Sequence, residues 1–596
     1  MLILGISCFF HDSAAALLRD GVLLAAAEEE RFSRVKHDFG FPGRAIAYVL
    51  AAGGVAPAEL DYVVFFEKPF TKFERILMTS LAVFPRAAPI FRESMMAWLL
   101  DKLWVGALIG ERLGVSPDRV LFGEHHLSHA ASAFYCSPWD EAAVLTLDGV
   151  GEWATATAGR ARGRDIHLDR EIRFPHSLGL LYSVFTAFLG FEVNEGEYKV
   201  MGMAAYGSPR YADEVRRLVE VAADGSFRLN MEYFAFHRST RRPYTRRFLE
   251  LFGAPRPPEL PFFTEASGYP AYFGPKPADF SAQARRNRHY ADIAASVQQV
   301  TEEIIVTMAR ALHRRTGSTR LCLAGGVALN SVANGRILRE SGFQELYVHP
   351  AAGDAGGAVG AALWAHHAVL GNPRAFVMDH AFWGQGFTDA EVRRRLDDLG
   401  VAYEALDPDR LQDRVVDALA AGRVVGWFHG RSEWGPRALG HRSILADPRR
   451  AEMKDTVNVK VKFREPYRPF APSVVAERVA EYFDAPGIER QYPSRFMLLV
   501  ADVKPSKHGV IPAVTHADGS GRLQTVVREG NSRYYDLIQR FGEATGVPVL
   551  LNTSFNLRGE PMVNTPEEAC ATFMRSGLDL LVVENCLVSK GGERYA

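Results

Sequence analysis

The sequence predicts an α/β protein with two parts, the first of which repeats a strand-turn-strand unit. A chain of 596 residues is too long for one hydrophobic core, so we expect two or three domains. Short apolar runs typical of strands alternate with stretches of helical periodicity. A meander over residues 2–27 has an approximate counterpart over residues 143–159. This repetition favours an internally duplicated α/β fold in the N-terminal part.

The individual elements follow from apolar runs and turn residues. In the first meander we predict strands at 2–7, 14–18 and 22–27, with Asp20-Gly21 as the tight turn. The second meander has strands at 143–147 and 154–158 around a glycine-rich turn. A helix at 293–314, a buried strand at 321–324 and a helix at 359–370 follow.

The periodic pattern breaks at 371–373, which places the main boundary near residue 375 and gives domains of 1–375 and 376–596. The second part has predicted strands at 424–428, 549–551 and 580–583 between helices, so it is also α/β. Residues 235–285 are rich in Pro, Phe, Tyr and Arg without clear periodicity. We predict that they form an insertion or cap over a cleft.

Composition excludes several classes of function. A formal net charge of −1 argues against a nucleic-acid-binding protein and favours small anions as ligands of local basic clusters. The five cysteines are scattered without a C-x-x-C pair, which indicates a reducing compartment. The first residues lack a basic leader and no apolar run reaches membrane-spanning length. We therefore expect a soluble, cytoplasmic protein without a membrane partner.

The strongest candidate site is a metal centre. His125 and His129 are spaced i, i+4, so a helix presents both imidazoles on one face. Asp148 ends an apolar strand, and Asp354 lies in a glycine-rich turn before a helix, so both carboxylates are candidate ligands of a divalent metal. His126 is expected to face away and to be dispensable for metal binding. The alternative is two satisfied histidines and an aspartate that caps a helix.

Three further segments carry candidate chemistry in the N-terminal part. His11 follows the first strand and is a candidate general base, although such a histidine more often caps a turn. Lys199 lies among spaced glycines and could neutralise a phosphate or carbonyl oxygen; a solvated loop is the alternative. Gly325, Gly326 and Asn330 follow a strand, where a ribose or phosphate can approach the backbone, although the same pattern serves ordinary strand-helix packing.

The C-terminal part has the strongest pattern for anion binding. Arg437 and Arg442 flank a short segment, and Lys462 and Arg468 lie in a later segment dense in cations. Such a set of cations suits a di- or triphosphate. The aromatic residues interleaved with them argue against a solvated helix face. Ser554 and Asn556 follow an apolar strand and offer neutral hydrogen-bonding groups at its end.

Taken together, these motifs resemble the O-carbamoyltransferases of the NodU/CmcH family. The matching segments run from one end of the chain to the other and are collinear, which is far more specific than any one motif. They are residues 10–15, 27–32, 125–129, 197–207, 325–330, 353–357, 435–440, 464–470 and 552–556.

The resemblance implies a fold and a reaction. It implies a duplicated actin-like ATPase (ASKHA) domain followed by a YrdC-like α/β domain. It also implies that carbamoyl phosphate and ATP form carbamoyl-adenylate in the second domain, and that a metal site in the first domain transfers the carbamoyl group to a hydroxyl of a small metabolite. A homodimer is one expected assembly.

By the same resemblance, each candidate residue acquires a role. His125, His129, Asp148 and Asp354 would bind a divalent metal, with Fe²⁺ expected, and His11 would be the base near the acceptor hydroxyl. Arg437, Lys462, Arg468, Ser554 and Asn556 would hold carbamoyl phosphate and ATP. Two other functions stay open: an actin-like small-molecule kinase or ATPase, and a non-enzymatic partner of the tRNA-modification machinery.

Overall fold

The computed structural model describes residues 1–84, 88–100, 102–239, 241–258, 260–269, 273–465 and 467–590. These residues form two compact units. The first comprises Met1–Glu29, His37–Glu265 and Asp279–Met378, and the second comprises Glu30–Lys36, Ala266–Ala278 and Asp379–Ala596. Two short segments that precede residue 375 in the sequence, Glu30–Lys36 and Ala266–Ala278, therefore belong to the second unit. A single boundary near residue 375 does not anticipate this.

The first unit is built on twelve strands in the described chain. They are β1 (Leu2–Ser7), β2 (Ala14–Arg19), β3 (Val22–Glu28), β4 (Tyr62–Phe65), β5 (Val120–Phe122), β6 (Glu141–Leu147), β7 (Ala154–Arg162), β8 (Asp165–Arg173), β9 (Val219–Val221), β10 (Phe227–Leu229), β11 (Arg320–Ala324) and β12 (Glu345–Val348).

Helices α1–α13 lie in the same stretch of sequence. They are α1 (Glu30–Ser33, in the second unit), α2 (Gly43–Gly53), α3 (Pro69–Ala82), α4 (Ala88–Leu100), α5 (Val105–Leu113), α6 (His125–Phe134), α7 (Leu178–Phe188), α8 (Glu197–Ala204), α9 (Ala212–Arg216), α10 (Arg246–Phe252), α11 (Phe280–Thr316), α12 (Ser331–Glu340) and α13 (Asp354–Trp364).

Besides the short pair β9–β10, the first unit has two five-stranded sheets in the described chain, and these two have the same topology. One has the strand order β3-β2-β1-β4-β5, and the other has the order β8-β7-β6-β11-β12. In each sheet a three-stranded antiparallel meander continues into two parallel strands. The internal duplication predicted from the two meanders is thus confirmed, and the arrangement is that of the actin-like ATPase fold.

Helix α13 packs closely on helix α6, which brings distant parts of the chain together. A Cβ added to Gly360 of α13 would lie 1.9 Å from the carbonyl oxygen of Ser128 on α6, so a larger residue would push the two helices apart. Residues 355–363 of α13 are buried throughout. The close approach sets the first turn of α13 beside the first turn of α6, where the candidate ligands lie.

Long helices and the expected cap differ in their bounds from the sequence prediction. The helix predicted at 293–314 begins earlier, at Phe280. Its first turns are rich in polar residues, so apolar periodicity does not reveal them. The helix predicted at 359–370 begins at Asp354, and after Trp364 it continues as a π-helical turn over Ala365–Val369. The segment 235–285 is therefore less irregular than expected, since it contains α10 and the start of α11. Residues 240, 259 and 270–272 of this segment lie outside the described residues.

The second unit is also α/β and carries a nine-stranded mixed sheet of order β13-β21-β20-β14-β15-β19-β16-β18-β17. The strands are β13 (Glu404–Ala405), β14 (Val425–Phe428), β15 (Arg442–Ala446), β16 (Ala471–Val475), β17 (Leu499–Asp502), β18 (Ser520–Val526), β19 (Val549–Ser554), β20 (Leu580–Val583) and β21 (Cys586–Ser589). The helices are α14 (Asp389–Asp398), α15 (Pro408–Ala420), α16 (Met453–Thr456), α17 (Val479–Tyr482), α18 (Tyr492–Arg495), α19 (Ser532–Thr545) and α20 (Pro566–Arg575).

One core of this unit lies where α15 and α19 cover the sheet. Trp427, Tyr534 and Phe541 are fully buried there among aliphatic residues. The strands predicted at 424–428, 549–551 and 580–583 are confirmed as β14, β19 and β20. All five cysteines are free and buried, as expected of small apolar residues. Within the described chain, no helix has the length and apolar character needed to cross a membrane.

Candidate functional site

The four predicted metal ligands converge in the first unit. His125 and His129 lie on the first turn of α6, Asp148 follows β6, and Asp354 begins α13. One ligand atom from each lies within 4.8 Å of the others, and all four side chains are buried. The Nε2 atom of His125 is 3.0 Å from Asp148 Oδ2 and 3.1 Å from His129 Nε2, and Asp354 Oδ1 is 3.5 Å from His129 Nε2.

The chemistry of this cluster fits a divalent first-row metal. Two imidazoles and two carboxylates are a nitrogen–oxygen ligand set that such ions accept. With neutral imidazoles the cluster has an excess of negative charge, which favours a cation. Asp354 Oδ2 is buried and has no hydrogen-bond partner among the described residues. Burial raises the pKa of Asp148, but hydrogen bonds with His125 and His129 outweigh it and lower that pKa well below its usual range.

Neighbouring backbone and carboxylate groups hold the ligands in place. The Gly326 amide donates to Asp148 Oδ1 at 2.8 Å. Glu152 accepts the His125 amide at 2.9 Å and the Lys68 amide at 2.9 Å, so it caps the start of α6. Sequence reasoning missed Glu152 because the glycine-rich turn that carries it gives no sign of which helix its side chain meets.

His126 occupies the position expected of it, turned away from the ligand atoms. Its Nδ1 lies 2.6 Å from Thr146 Oγ1, and its Nε2 lies 2.9 Å from the carbonyl oxygen of Ala154. Burial, followed by the charges of His125 and His129, lowers its pKa to about 3. His126 is thus a neutral side chain that ties α6 to β6 and β7.

His11 belongs to a second cluster, with Asp12 and His37. Asp12 bridges the two histidines, since its oxygens lie 2.7 Å from each Nδ1, and the imidazole rings stack at 4.8 Å. His11 Nε2 donates to the carbonyl oxygen of Asn194 at 3.1 Å. Burial lowers the pKa of His11, but Asp12 outweighs it and raises the value to about 9. In this arrangement His11 holds a proton on both nitrogens, so the expected role as a base requires that one proton leave first.

In the second unit, the structure brings Lys462, Ser554 and Asn556 together. The Lys462 ammonium donates to the Ser554 carbonyl at 2.7 Å, to the Asn556 carbonyl at 2.9 Å, and to the Asn556 side-chain oxygen. Lys462 is 3 % exposed. Burial, followed by the charges of Arg464, Arg468 and Lys36, lowers its pKa well below that of a free lysine.

Arg437 and Arg468 belong to the same group of cations, together with Arg522 on β18. Burial lowers the pKa of Arg522 well below its ordinary value, and the charges of Arg437, Arg464 and Arg468 lower it further. Arg468 meets a carboxylate of Glu465 at 3.6 Å. The group is cationic overall and suits a polyphosphate or acyl phosphate. Lys36 and Arg522 were not predicted, because neither lies in the basic segment of the sequence.

Comparison with known proteins assigns the chain to a family. Residues 2–363 match the family model described as carbamoyltransferase N-terminus, and residues 416–590 match the model described as carbamoyltransferase C-terminus. The chain belongs to the carbamoyltransferase family. The resemblance inferred from the motifs is thereby confirmed, and the protein is a carbamoyltransferase enzyme.

Relatives span nearly the full carbamoyltransferase chain. An uncharacterized protein of Synechocystis sp. is 46% identical and covers 99% of this chain and 96% of its own length. The nodulation protein NolNO of Sinorhizobium fredii is 38% identical over 98% of this chain and 79% of its own length. Nodulation protein U of the same species is 30% identical over 94% of each chain.

Solved structures match at a lower level. Component A of the (R)-2-hydroxyglutaryl-CoA dehydratase of Acidaminococcus fermentans aligns with 62% of this chain and 99% of its own, at 15% identity and a TM-score of 0.30. HypF of T. kodakarensis aligns with 62% of this chain and 48% of its own, at 15% identity and a TM-score of 0.30.

Three predicted site residues of the carbamoyltransferase have structural contacts of their own. Asn330 accepts the Ala333 amide at 3.2 Å as the N-cap of α12, and its amide group pairs with Gln298. Lys199 lies on α8 with its ammonium over the ring of Phe191, 5.8 Å from the ring centre. A Cβ at Gly325 would lie 2.2 Å from the Leu147 carbonyl oxygen, so a glycine here allows a close backbone approach.

Arg442, a further basic residue of the predicted anion-binding region, has a structural role. It is fully buried, and its guanidinium donates to the carbonyl oxygens of His429, His441 and Gln385. It also lies over the ring of Phe428 at 3.6 Å. Local charge density predicted an anion ligand here, whereas the fold uses this arginine to bind carbonyl groups.

Proposed function

We propose that this carbamoyltransferase is an ATP-dependent O-carbamoyltransferase that acts on a hydroxyl of a small metabolite, of sugar or natural-product type. In the first half-reaction, carbamoyl phosphate and ATP give carbamoyl-adenylate, with one water consumed and phosphate and pyrophosphate released. In the second, the acceptor oxygen attacks the carbamoyl carbon and AMP leaves. The observation that carries the proposal is the presence of two chemically different sites, one of metal-ligand type and one cationic, in a chain that matches both carbamoyltransferase models.

The cationic site in the second unit is assigned to adenylate formation. Lys36, Arg437, Lys462, Arg468 and Arg522 would offset the charge that develops on the phosphoryl oxygens. Ser554 and Asn556 hold the Lys462 ammonium in place through the contacts described above. This role for the second unit agrees with the YrdC-like domain that the motif resemblance implies.

The metal-ligand cluster in the first unit is assigned to carbamoyl transfer. His125, His129, Asp148 and Asp354 would hold a divalent metal, with Fe²⁺ expected, which supplies Lewis-acid polarisation of the carbamoyl carbonyl. His11 would receive the acceptor proton at Nε2, once that nitrogen no longer donates to Asn194. Asp12 would then stabilise the imidazolium that forms.

Product analysis tests the overall reaction. The purified protein is incubated with ATP, labelled carbamoyl phosphate and a panel of sugars and aminoglycosides. Carbamoyl-phosphate-dependent release of AMP and pyrophosphate, with a labelled carbamate ester, supports the proposal. A phosphorylated acceptor and ADP would instead support the actin-like kinase. Binding of tRNA at moderate salt without turnover would support the non-enzymatic partner.

Two variants separate the half-reactions. His129→Ala is expected to lower metal content and abolish transfer, while carbamoyl-phosphate-dependent AMP formation continues. Arg468→Ala is expected to block AMP formation and keep the metal. If both variants lose the same half-reaction, the assignment of two sites is wrong.

A further inference from the structure

Glu67 is a buried carboxylate beside the metal-ligand cluster that the proposed function does not use. It follows strand β4 and the adjoining Phe66, and it is 3 % exposed. Its Oε2 lies 3.4 Å from Nδ1 of His125 and 2.6 Å from the ammonium of Lys72. The same carboxylate oxygen therefore faces both a candidate metal ligand and a buried cation.

The two ring nitrogens of His125 have different surroundings. Nε2 points into the cluster, 3.0 Å from Asp148 Oδ2. A metal needs the lone pair of that nitrogen, so the proton of the neutral ring must lie on Nδ1. Nδ1 is buried and makes no hydrogen bond to any described residue at the present geometry. Glu67 is the described carboxylate within ion-pair distance of it.

Only a small movement converts this contact into a strong hydrogen bond. A charge-assisted N–H···O bond is about 2.7–2.9 Å long. The present 3.4 Å separation thus exceeds that length by about 0.5 Å. A shift of about this length in the carboxylate or the imidazole would close the gap.

The fold fixes the position of Glu67 relative to the helix that carries His125. The Ser128 hydroxyl on α6 donates to the Phe66 carbonyl at 2.7 Å, and the Gly123 amide donates to the Phe65 carbonyl at 2.8 Å. The Phe66 ring also packs against the His125 ring, with 5.3 Å between their centres. The chain just before Glu67 is therefore tied to residues on both sides of His125 in the sequence.

Lys72 explains why a charged carboxylate is tolerated at this buried position. It lies on α3 with 3 % exposure, and its ammonium also lies over the ring of Phe10, 4.6 Å from the ring centre. A buried carboxylate without such a partner would be strongly destabilising. The ion pair leaves Glu67 ionised, and its carboxylate can therefore accept a hydrogen bond from the Nδ1–H of His125.

We propose that Glu67 is a positioning residue of the metal centre, which accepts the Nδ1–H of His125 and thereby fixes the tautomer that presents Nε2 to the metal. Lys72 is the counter-ion that keeps Glu67 in this role. The inference rests on the proposed metal centre. Carboxylates that hold a ligand histidine in this way commonly contribute about 10- to 100-fold to metal affinity.

The test measures metal affinity directly, in the full-length protein. Fe²⁺ (under anaerobic conditions) and Zn²⁺ are titrated in competition with a chelator, and bound metal per chain is measured by mass spectrometry. Glu67→Gln and the double variant Glu67→Leu/Lys72→Met are compared with wild type. The double variant replaces a buried ion pair by apolar groups, a change that is often neutral for folding, so it separates metal affinity from stability. Glu124→Gln is the matched control, because its carboxylate lies exposed at the start of the same helix.

We expect both variants at Glu67 to bind metal about 10- to 100-fold more weakly, with the control unchanged. An unchanged affinity in the double variant would overturn the role of Glu67 and leave the metal centre intact. If the double variant fails to fold, the affinity of Glu67→Gln decides in the same way. A wild-type protein that binds neither ion would overturn both the metal centre and the inference that rests on it.

Discussion

Replacement of Gly325 by alanine tests how the fold brings two of the proposed metal ligands together. Gly325 has φ +91° and ψ 164°, a combination open essentially to glycine alone. Its amide donates to the Ala352 carbonyl at 2.9 Å, and a Cβ at this position would lie 2.2 Å from the Leu147 carbonyl oxygen. Leu147 directly precedes Asp148, and Ala352 is two residues before Asp354. The glycine therefore lies between the two chain segments that end in the carboxylate ligands.

The expected effect follows from these distances. An ordinary contact begins at 3.4 Å, so the Leu147 carbonyl must move by about 1.2 Å (3.4 − 2.2) to admit the methyl group. Metal–ligand distances in a well-formed site lie within about 0.2 Å of their preferred values, so a backbone shift next to Asp148 is expected to disturb the site. The backbone conformation adds a cost of roughly 1–3 kcal/mol. Gly325→Ala should lose most of its bound metal and unfold at a lower temperature than wild type.

Bound metal per chain and the midpoint of thermal unfolding measure the two effects separately. Gly317→Ala is the control, because Gly317 has φ +66° and nothing lies within 4 Å of its added Cβ. That variant suffers backbone strain without displacement of a ligand, so it should be somewhat less stable and keep its metal. If Gly325→Ala binds metal as tightly as Gly317→Ala does, the reasoning from the close approach is refuted.

Three further predictions follow from the described contacts. His126→Asn should lower the free energy of unfolding by about 1–3 kcal/mol, because the buried partners of His126 lose a hydrogen bond. Its metal content should stay that of wild type. Loss of metal would contradict the outward orientation of the His126 ring. Arg522→Met should raise the KM for carbamoyl phosphate or ATP roughly 10- to 100-fold, since a hydrogen bond to a charged group contributes about 1.5–3 kcal/mol. Bound metal should not change. An unchanged KM would exclude Arg522 from the anion site. Burial lowers the pKa of His367 from 6.5 to about 4. Between these two pH values the unfolded chain binds more protons than the folded chain, so the free energy of unfolding falls as the pH decreases. The loss from pH 7.5 to pH 5 should be about 2 kcal/mol. In urea unfolding, His367→Gln should lose less stability over this pH range than wild type, whereas the exposed His167→Gln should lose as much as wild type. An equal loss of stability in both variants would reject His367 as the origin of the pH dependence.

Local sequence was enough for much of the architecture and for two of the proposed metal ligands. Strands such as β1 and β20 are apolar runs, and their bounds match the prediction because burial on both faces leaves a continuous apolar pattern. The pair His125 and His129 needed only helical geometry, since residues four apart share a face of a helix. Collinear motifs then indicated the carbamoyltransferase family without any knowledge of the fold.

Tertiary structure decided which polar residues act together. Arg442 and Lys462 are both basic residues of the second unit, yet the fold assigns one to three backbone carbonyls and places the other among like charges. Glu67 meets His125, and Arg522 meets the other cations of its group, across long stretches of sequence, so no local spacing could mark these contacts. Local patterns record the period of a helix or strand, whereas the meeting of side chains depends on how separate elements pack. For this reason the sequence alone determined the elements, the family and the i, i+4 histidines, and only the packed chain decided the neighbours of each charge.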